Sequence, residues 1–133
     1  MTILNLTPHP INVYSETSFI NLEKTNPTTW LADGVEGEGL ASFETVGSVR
    51  IATKTVEQAP LEGIPVVATS YGEIEGVPKD AVLGEDTLIV SLPAQSMAKA
   101  SGSEWATSML APYKVVRLRS NTSQVLGCMG FTY

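Results

Sequence analysis

The sequence predicts an α+β domain that is mainly β, a small twisted sheet or partly open barrel with one short helix. Three observations predict it. Apolar residues keep a period of two in Leu4–Tyr14 and Val46–Glu57, as half-buried strands do. Clusters of Gly, Pro, Asn and Asp separate these runs at short intervals. Only Pro93–Ala100 combines a proline suited to a first helical turn with good helix formers after it.

The elements follow in order. Leu4, Leu6, Ile11 and Val13 alternate on either side of Pro8-His9-Pro10. Each proline fixes its own φ and holds the preceding residue extended, so this reads as a strand interrupted by a stiff step. Residues 26–39, ending in Asp33-Gly34-Val35-Glu36-Gly37-Glu38-Gly39, are polar, acidic and glycine-rich and read as a loop. Val46–Glu57 is β-branched and alternating, a strand, and Ala59-Pro60-Leu61-Glu62-Gly63 is a turn. Ile64–Tyr71 returns as a strand with Pro65 at its start or on an edge, Gly72 marking a bulge. Thr87–Leu92 is apolar on both faces and predicts a central buried strand. The helix ends at Ser101-Gly102, with a further short turn around Glu104–Met109. Tyr113–Arg119 and Gln124–Phe131 form a closing hairpin about Asn121-Thr122-Ser123. Nothing marks a second domain, so residues 1–133 read as one.

Composition narrows the function classes. Fourteen acids against eight bases, a net charge of −6, argue against general nucleic-acid binding, which needs Lys and Arg on phosphates. No apolar run is long enough for a membrane span, and no secretory leader is visible, so the expected location is the cytoplasm. A lone cysteine, Cys128, excludes an internal disulfide. One His and one Cys cannot make a Cys/His zinc site, and no metal or other cofactor is expected. The charge is uneven: Lys114, Arg117 and Arg119 lie in a stretch from Trp105 onward that contains no acid. That asymmetry fits either a small anion site or a solvated face.

Candidate site residues follow from side-chain chemistry. His9, the sole imidazole, is fixed between prolines and suits a phosphate or a ring edge, or a plain structural hydrogen bond. Arg117 and Arg119, two apart, share a strand face, and Arg50 is the third guanidinium, the group best shaped for phosphate. Tyr71, beside Gly72, offers a ring for stacking. Ser91 stands before the helix, either as a cap or as part of an anion seat with the free N–H groups there. Glu73 and Glu75 resemble an acid/base or metal pair, or simply the wet face of an edge strand. No nucleophile motif is present.

The chain resembles a family of small proteins from bacteriophages, prophages and some actinobacteria. The resemblance rests on Asn5-Leu6-Thr7-Pro8-His9-Pro10-Ile11, Gly63-Ile64-Pro65-Val66, Tyr71-Gly72-Glu73-Ile74-Glu75-Gly76-Val77-Pro78, Ile89-Val90-Ser91, and a terminal Val116-Arg117…Gly127-Cys128 hairpin. This chain differs in a longer acidic insert near Asn26–Gly39 and a longer tail. The resemblance carries no established activity and supplies a phage context. In that context the expectation is a non-catalytic binding protein that sequesters a small anionic ligand, of the kind of a cyclic nucleotide immune signal. It would act as an anti-defence sponge, with His9, Tyr71, Ser91, Arg117, Arg119 and Arg50 meeting at a homo-oligomer interface. Two other readings stand beside it: a virion decoration or assembly protein, and a small metal-dependent hydrolase using Glu73 and Glu75.

Overall fold

The computed structural model describes residues 2–133. The first predicted strand breaks in two, Ile3–Asn5 (β1) and Ile11–Val13 (β2), with the Pro8-His9-Pro10 step between them. A 3-10 turn at Glu16–Ser18 precedes β3 (Phe19–Ile20). The segment read as an acidic loop is more ordered than its composition suggests. Its start closes a tight hairpin between β4 (Glu23–Asn26) and β5 (Thr29–Ala32), and Gly34–Val35 forms β6, paired with β3. The Asn26 side chain makes that hairpin turn, accepting from the Thr28 N–H at 2.9 Å, a local bond that composition alone does not reveal. Ala41–Phe43 is β7.

Two 12-residue strands follow, β8 (Arg50–Leu61) and β9 (Ile64–Glu75). Both boundaries move from expectation. The predicted strand start at Val46 gives way to a start at Arg50. The five-residue turn at 59–63 shrinks to Glu62-Gly63, with φ of 49° and 80°. Two positive φ angles match the twist of the flanking strands in a two-residue hairpin, and Ala59-Pro60 becomes a register shift within β8. A second shift places the expected bulge at Gly72-Glu73.

Thr87–Ile89 (β10) is buried at every residue, as a strand paired on both sides must be. The helix, α1 (Leu92–Ser101), is capped by the Ser91 side chain, which accepts from the Ala94 N–H, and ends at Gly102 in the left-handed conformation. A 3-10 turn at Glu104–Ser108 leads to β11 (Met109–Leu118), and β12 (Asn121–Thr132) returns beside it. The turn between them is Arg119-Ser120 rather than Asn121–Ser123, because Leu118 pairs with Asn121.

Eight strands form one sheet in the order β1-β10-β11-β12-β2-β7, with β5 on β11 and β4 on β5. β10 and β11 are parallel, so α1 makes the crossover that parallel neighbours require. A bridge from Asn5 in β1 to Thr45, just past β7, brings the two ends of this order together. The fold is thus mainly β with one α-helix and a nearly closed, barrel-like sheet.

The interior divides in two. One cluster gathers Leu6, Val49, Ile51, Leu88, Val90, Ala94, Ala98 and Met109. The other holds Phe19, Ala32 and Val116. β11 reaches both, Met109 at one end and Val116 near the other. The β8–β9 hairpin contributes Ile51 and Ile74 to the first cluster and is exposed from Thr53 to Glu73.

Candidate functional site

The site begins with an unfilled stretch of sheet edge. β12 covers one edge of β11 from Ala111 to Leu118. The opposite edge is shared, with β10 pairing at Met109 and Leu110 and β5 pairing at Val116–Leu118. Between them, at Ala111–Val115, the described residues place no strand. An open cleft of about 930 Å³ lies over this region. The β11–β12 ribbon forms its floor. Its other lining comes from the β1–β2 loop (Thr7–Pro10) with Ile11 and Asn12 of β2, from Ser91 and Leu92 at the start of α1, and from the β4–β5 turn with Trp30.

Lys114 stands in the middle of this edge with a φ of +52°. A non-glycine residue in that region costs about 1–2 kcal/mol, and such outliers gather at ligand sites. Burial along β11 changes phase around it: Met109 and Ala111 are inward before it, Val116 after it. The Lys114 Nζ lies 5.3 Å from the ring centres of both Trp30 and Tyr113. Lys24 Nζ is 5.4 Å from the Trp30 ring. Cation–π contacts of this kind place an ammonium beside flat apolar surface.

His9 is exposed and lines the same cleft, and no described residue hydrogen-bonds its ring. Its position is set through its backbone. The His9 carbonyl accepts from Asn5 Nδ2 at 2.9 Å and lies 2.9 Å from Thr7 Oγ1. Asn5 is 1% exposed; its Oδ1 accepts from the Thr7 N–H at 3.0 Å, and its amide also donates to the Phe43 carbonyl at 2.9 Å. Thr45 Oγ1 holds the Thr7 carbonyl. The Asn5-Leu6-Thr7-Pro8-His9-Pro10 run is therefore a buried Asx clamp carrying a rigid exposed tip. Ser91, the other sequence candidate in the cleft wall, spends its oxygen lone pair on the Ala94 N–H at 3.2 Å and keeps its O–H free to donate.

The remaining candidates lie elsewhere. Arg117 donates to the Thr122 carbonyl at 3.1 Å within its own hairpin. Arg119 does not share a strand face with it, because β11 ends at Leu118 and Arg119 sits in the turn. Its guanidinium donates to Asp33 at 3.0 Å and to the Asn21 carbonyl at 2.7 Å, and Glu23 lies 3.5 Å away. That network ties the hairpin turn to the β3–β6 region, so Arg119 is a structural clasp. Arg50 and Tyr71 belong to β8 and β9 and do not line the cleft. Within one chain neither Arg117 nor Arg119 lines the cleft with His9. The cation that does is Lys114.

Trp30 and Tyr113 are site residues that sequence reasoning missed, and Lys114 entered it only through the charge asymmetry. A signal for the last two existed: Val115-Val116 sets two apolar residues side by side where strict alternation should continue, marking the phase break. Trp30 carried no comparable signal.

The electrostatics are one-sided. In a chain of net charge −6, no acidic residue lines the cleft, and its ionisable side chains are His9, Lys114, Tyr113 and Cys128. Burial pushes the Cys128 thiol above its ordinary pKa, against smaller lowering by hydrogen bonds from the Gly130 and Tyr113 backbone, so it stays a neutral part of the floor. Glu73 and Glu75 are exposed at the base of the β8–β9 hairpin. Among the described residues, no group of three or more His, Cys, Asp or Glu is placed to hold a metal ion. No helix among them is long and apolar enough to cross a membrane. No protein-family model, curated protein or solved structure matches this chain.

Proposed function

We propose that this chain is a non-catalytic binding protein whose cleft captures a small anionic ligand bearing a flat ring. The observation that carries this reading is the acid-free cleft, in an acidic protein, that is lined by His9 and holds the Lys114 ammonium beside the Trp30 and Tyr113 rings. Lys114 and His9 supply N–H donors to an anionic group. The rings of Trp30 and Tyr113 supply stacking surface for a base, worth about 1–3 kcal/mol per stacked base. The cleft holds no nucleophile–base pair, which favours retention of the ligand over turnover. Together with the phage-type resemblance, this supports capture of a cyclic nucleotide immune signal in the cytoplasm of a bacterial host.

Calorimetry against cyclic di- and trinucleotides, mononucleotides and inorganic phosphate tests the proposal. Binding should weaken roughly tenfold or more in Lys114→Gln and in Trp30→Ala, the loss expected for a partly desolvated charge or a stacking partner. Arg50→Gln and Tyr71→Ala should bind as the unaltered protein does. Heat denaturation should release intact nucleotide, and release of a linear product would make the protein an enzyme. Failure of every anion to bind, or binding indifferent to Lys114, sinks the reading.

The exposed β8–β9 hairpin favours a second reading, a virion or assembly component, since such an arm suits lattice contacts. Abundant copies in purified particles would support it.

A further inference from the structure

We infer that Lys24 is a second anion-binding group of this site, and that the ligand carries two separate phosphates rather than one. Lys24 does not itself line the cleft, and its assignment rests on the cleft being an anion site. It lies directly opposite Trp30 in the β4–β5 ladder, and Trp30 is in register with Val116 of β11, two residues beyond Lys114. β5 is therefore the middle strand of three, with one lysine on each flanking strand. Cross-strand partners have neighbouring side chains. The Lys24 and Lys114 Nζ atoms stand 5.4 and 5.3 Å from the centre of the same indole.

Neither ammonium is neutralised by the chain. Among the described residues, no ion pair involves either lysine. Glu23, adjacent to Lys24 in sequence, is on the other face of β4 and is engaged by Arg119 at 3.5 Å. No acid lines the cleft. Two like charges held against one ring repel each other, and a chain with fourteen acids and eight bases could have set a carboxylate between them. An anionic ligand takes that place, through charge-assisted N–H donors. The two lysines reach the indole from the strands on either side of it. Strands lie about 4.8 Å apart, so the two side chains are anchored roughly 10 Å from each other. A single phosphate is smaller than that span. Each ammonium therefore holds its own phosphate, with a ring of the ligand against Trp30.

Calorimetry of the full chain against cyclic di-AMP, cyclic di-GMP and the matching cyclic mononucleotides tests this. The unaltered chain should prefer a cyclic dinucleotide. Lys24→Gln should weaken that dinucleotide roughly tenfold and make its binding less sensitive to salt, while Lys24→Arg retains it. The matching mononucleotide, with one phosphate, should bind Lys24→Gln as it binds the unaltered chain. Lys54→Gln and Lys79→Gln remove the same charge from exposed positions outside the cleft and should change neither. A mononucleotide bound as tightly as the dinucleotides overturns the inference, as does a Lys24→Gln variant that weakens both classes equally or neither. In those cases a loss of binding in Lys114→Gln leaves the anion site itself standing. Binding of no nucleotide overturns both.

Discussion

The molecule contains two long antiparallel hairpins of similar length and opposite fate. β11–β12 is flanked by β10 and β5 on one side and β2 on the other, and buries Met109, Ala111, Val116 and Cys128. β8–β9 leaves the body after Ile51 and is exposed until Ile74. Both are closed by a two-residue turn, and β8–β9 carries the stronger local signal: β-branched alternation and two positive φ angles at Glu62-Gly63, whereas β11 breaks phase at Val115-Val116. The difference teaches that a hairpin's local signal does not say whether its apolar face will be filled from within the chain. The buried hairpin builds the cleft, and the exposed one leaves both its faces uncovered.

Matched substitutions sharpen this contrast, beginning with the largest effect. Val116→Ala, in a fully buried position, should cost about 2–3 kcal/mol in urea unfolding, from lost transfer energy and a cavity. Val56→Ala, 48% exposed on the arm, should stay within about 0.5 kcal/mol for the dilute protein. Equal costs would break the comparison.

Glycines give the next test. A Cβ on Gly127 would stand 2.8 Å from the Asn12 carbonyl oxygen and 2.8 Å from the Tyr14 ring, where β12 crosses β2. Gly127→Ala should lower stability by about 1–3 kcal/mol through overpacking. A Cβ on Gly130, in the same strand, meets nothing within 4 Å, so Gly130→Ala should lie within about 1 kcal/mol of the unaltered protein.

Lys114→Gly removes a left-handed side-chain strain of about 1–2 kcal/mol while losing cation–π contacts of about 0.5–1 kcal/mol each. Thermal unfolding should therefore move by no more than a few degrees, with ligand capture lost. A large drop in melting temperature would make Lys114 a structural residue rather than a site residue.

The smallest effect is that of pH on Cys128. Its folded pKa is raised above the ordinary 9.0 by burial, so its contribution to stability is complete below that value. It fades as pH rises from there through the folded pKa. Stability should decline on that alkaline limb less in Cys128→Ala than in the unaltered chain. Alkylation of the native thiol near pH 8 should be slow and should accelerate on unfolding.

Much of this protein was legible before any coordinates. Val90-Ser91-Leu92-Pro93 fixed where a buried strand yields to a helix, because the cap and the N1 proline act within one turn. Pro8-His9-Pro10 announced a rigid break for the same local reason. The lone histidine and the serine before the helix do reach the cleft. What tertiary structure alone decided is which distant groups meet there. Lys114 lines the same cleft as His9, on the stretch of β11 that β10 and β5 leave unpaired, and Arg119 is held elsewhere by Asp33 and the Asn21 carbonyl. Strand alternation and turn chemistry act over a few residues, so sequence determined the elements. Occupancy of the β11 edge and the ion pairs of Arg119 link residues 21 to 96 positions apart, and only the assembled sheet could set them.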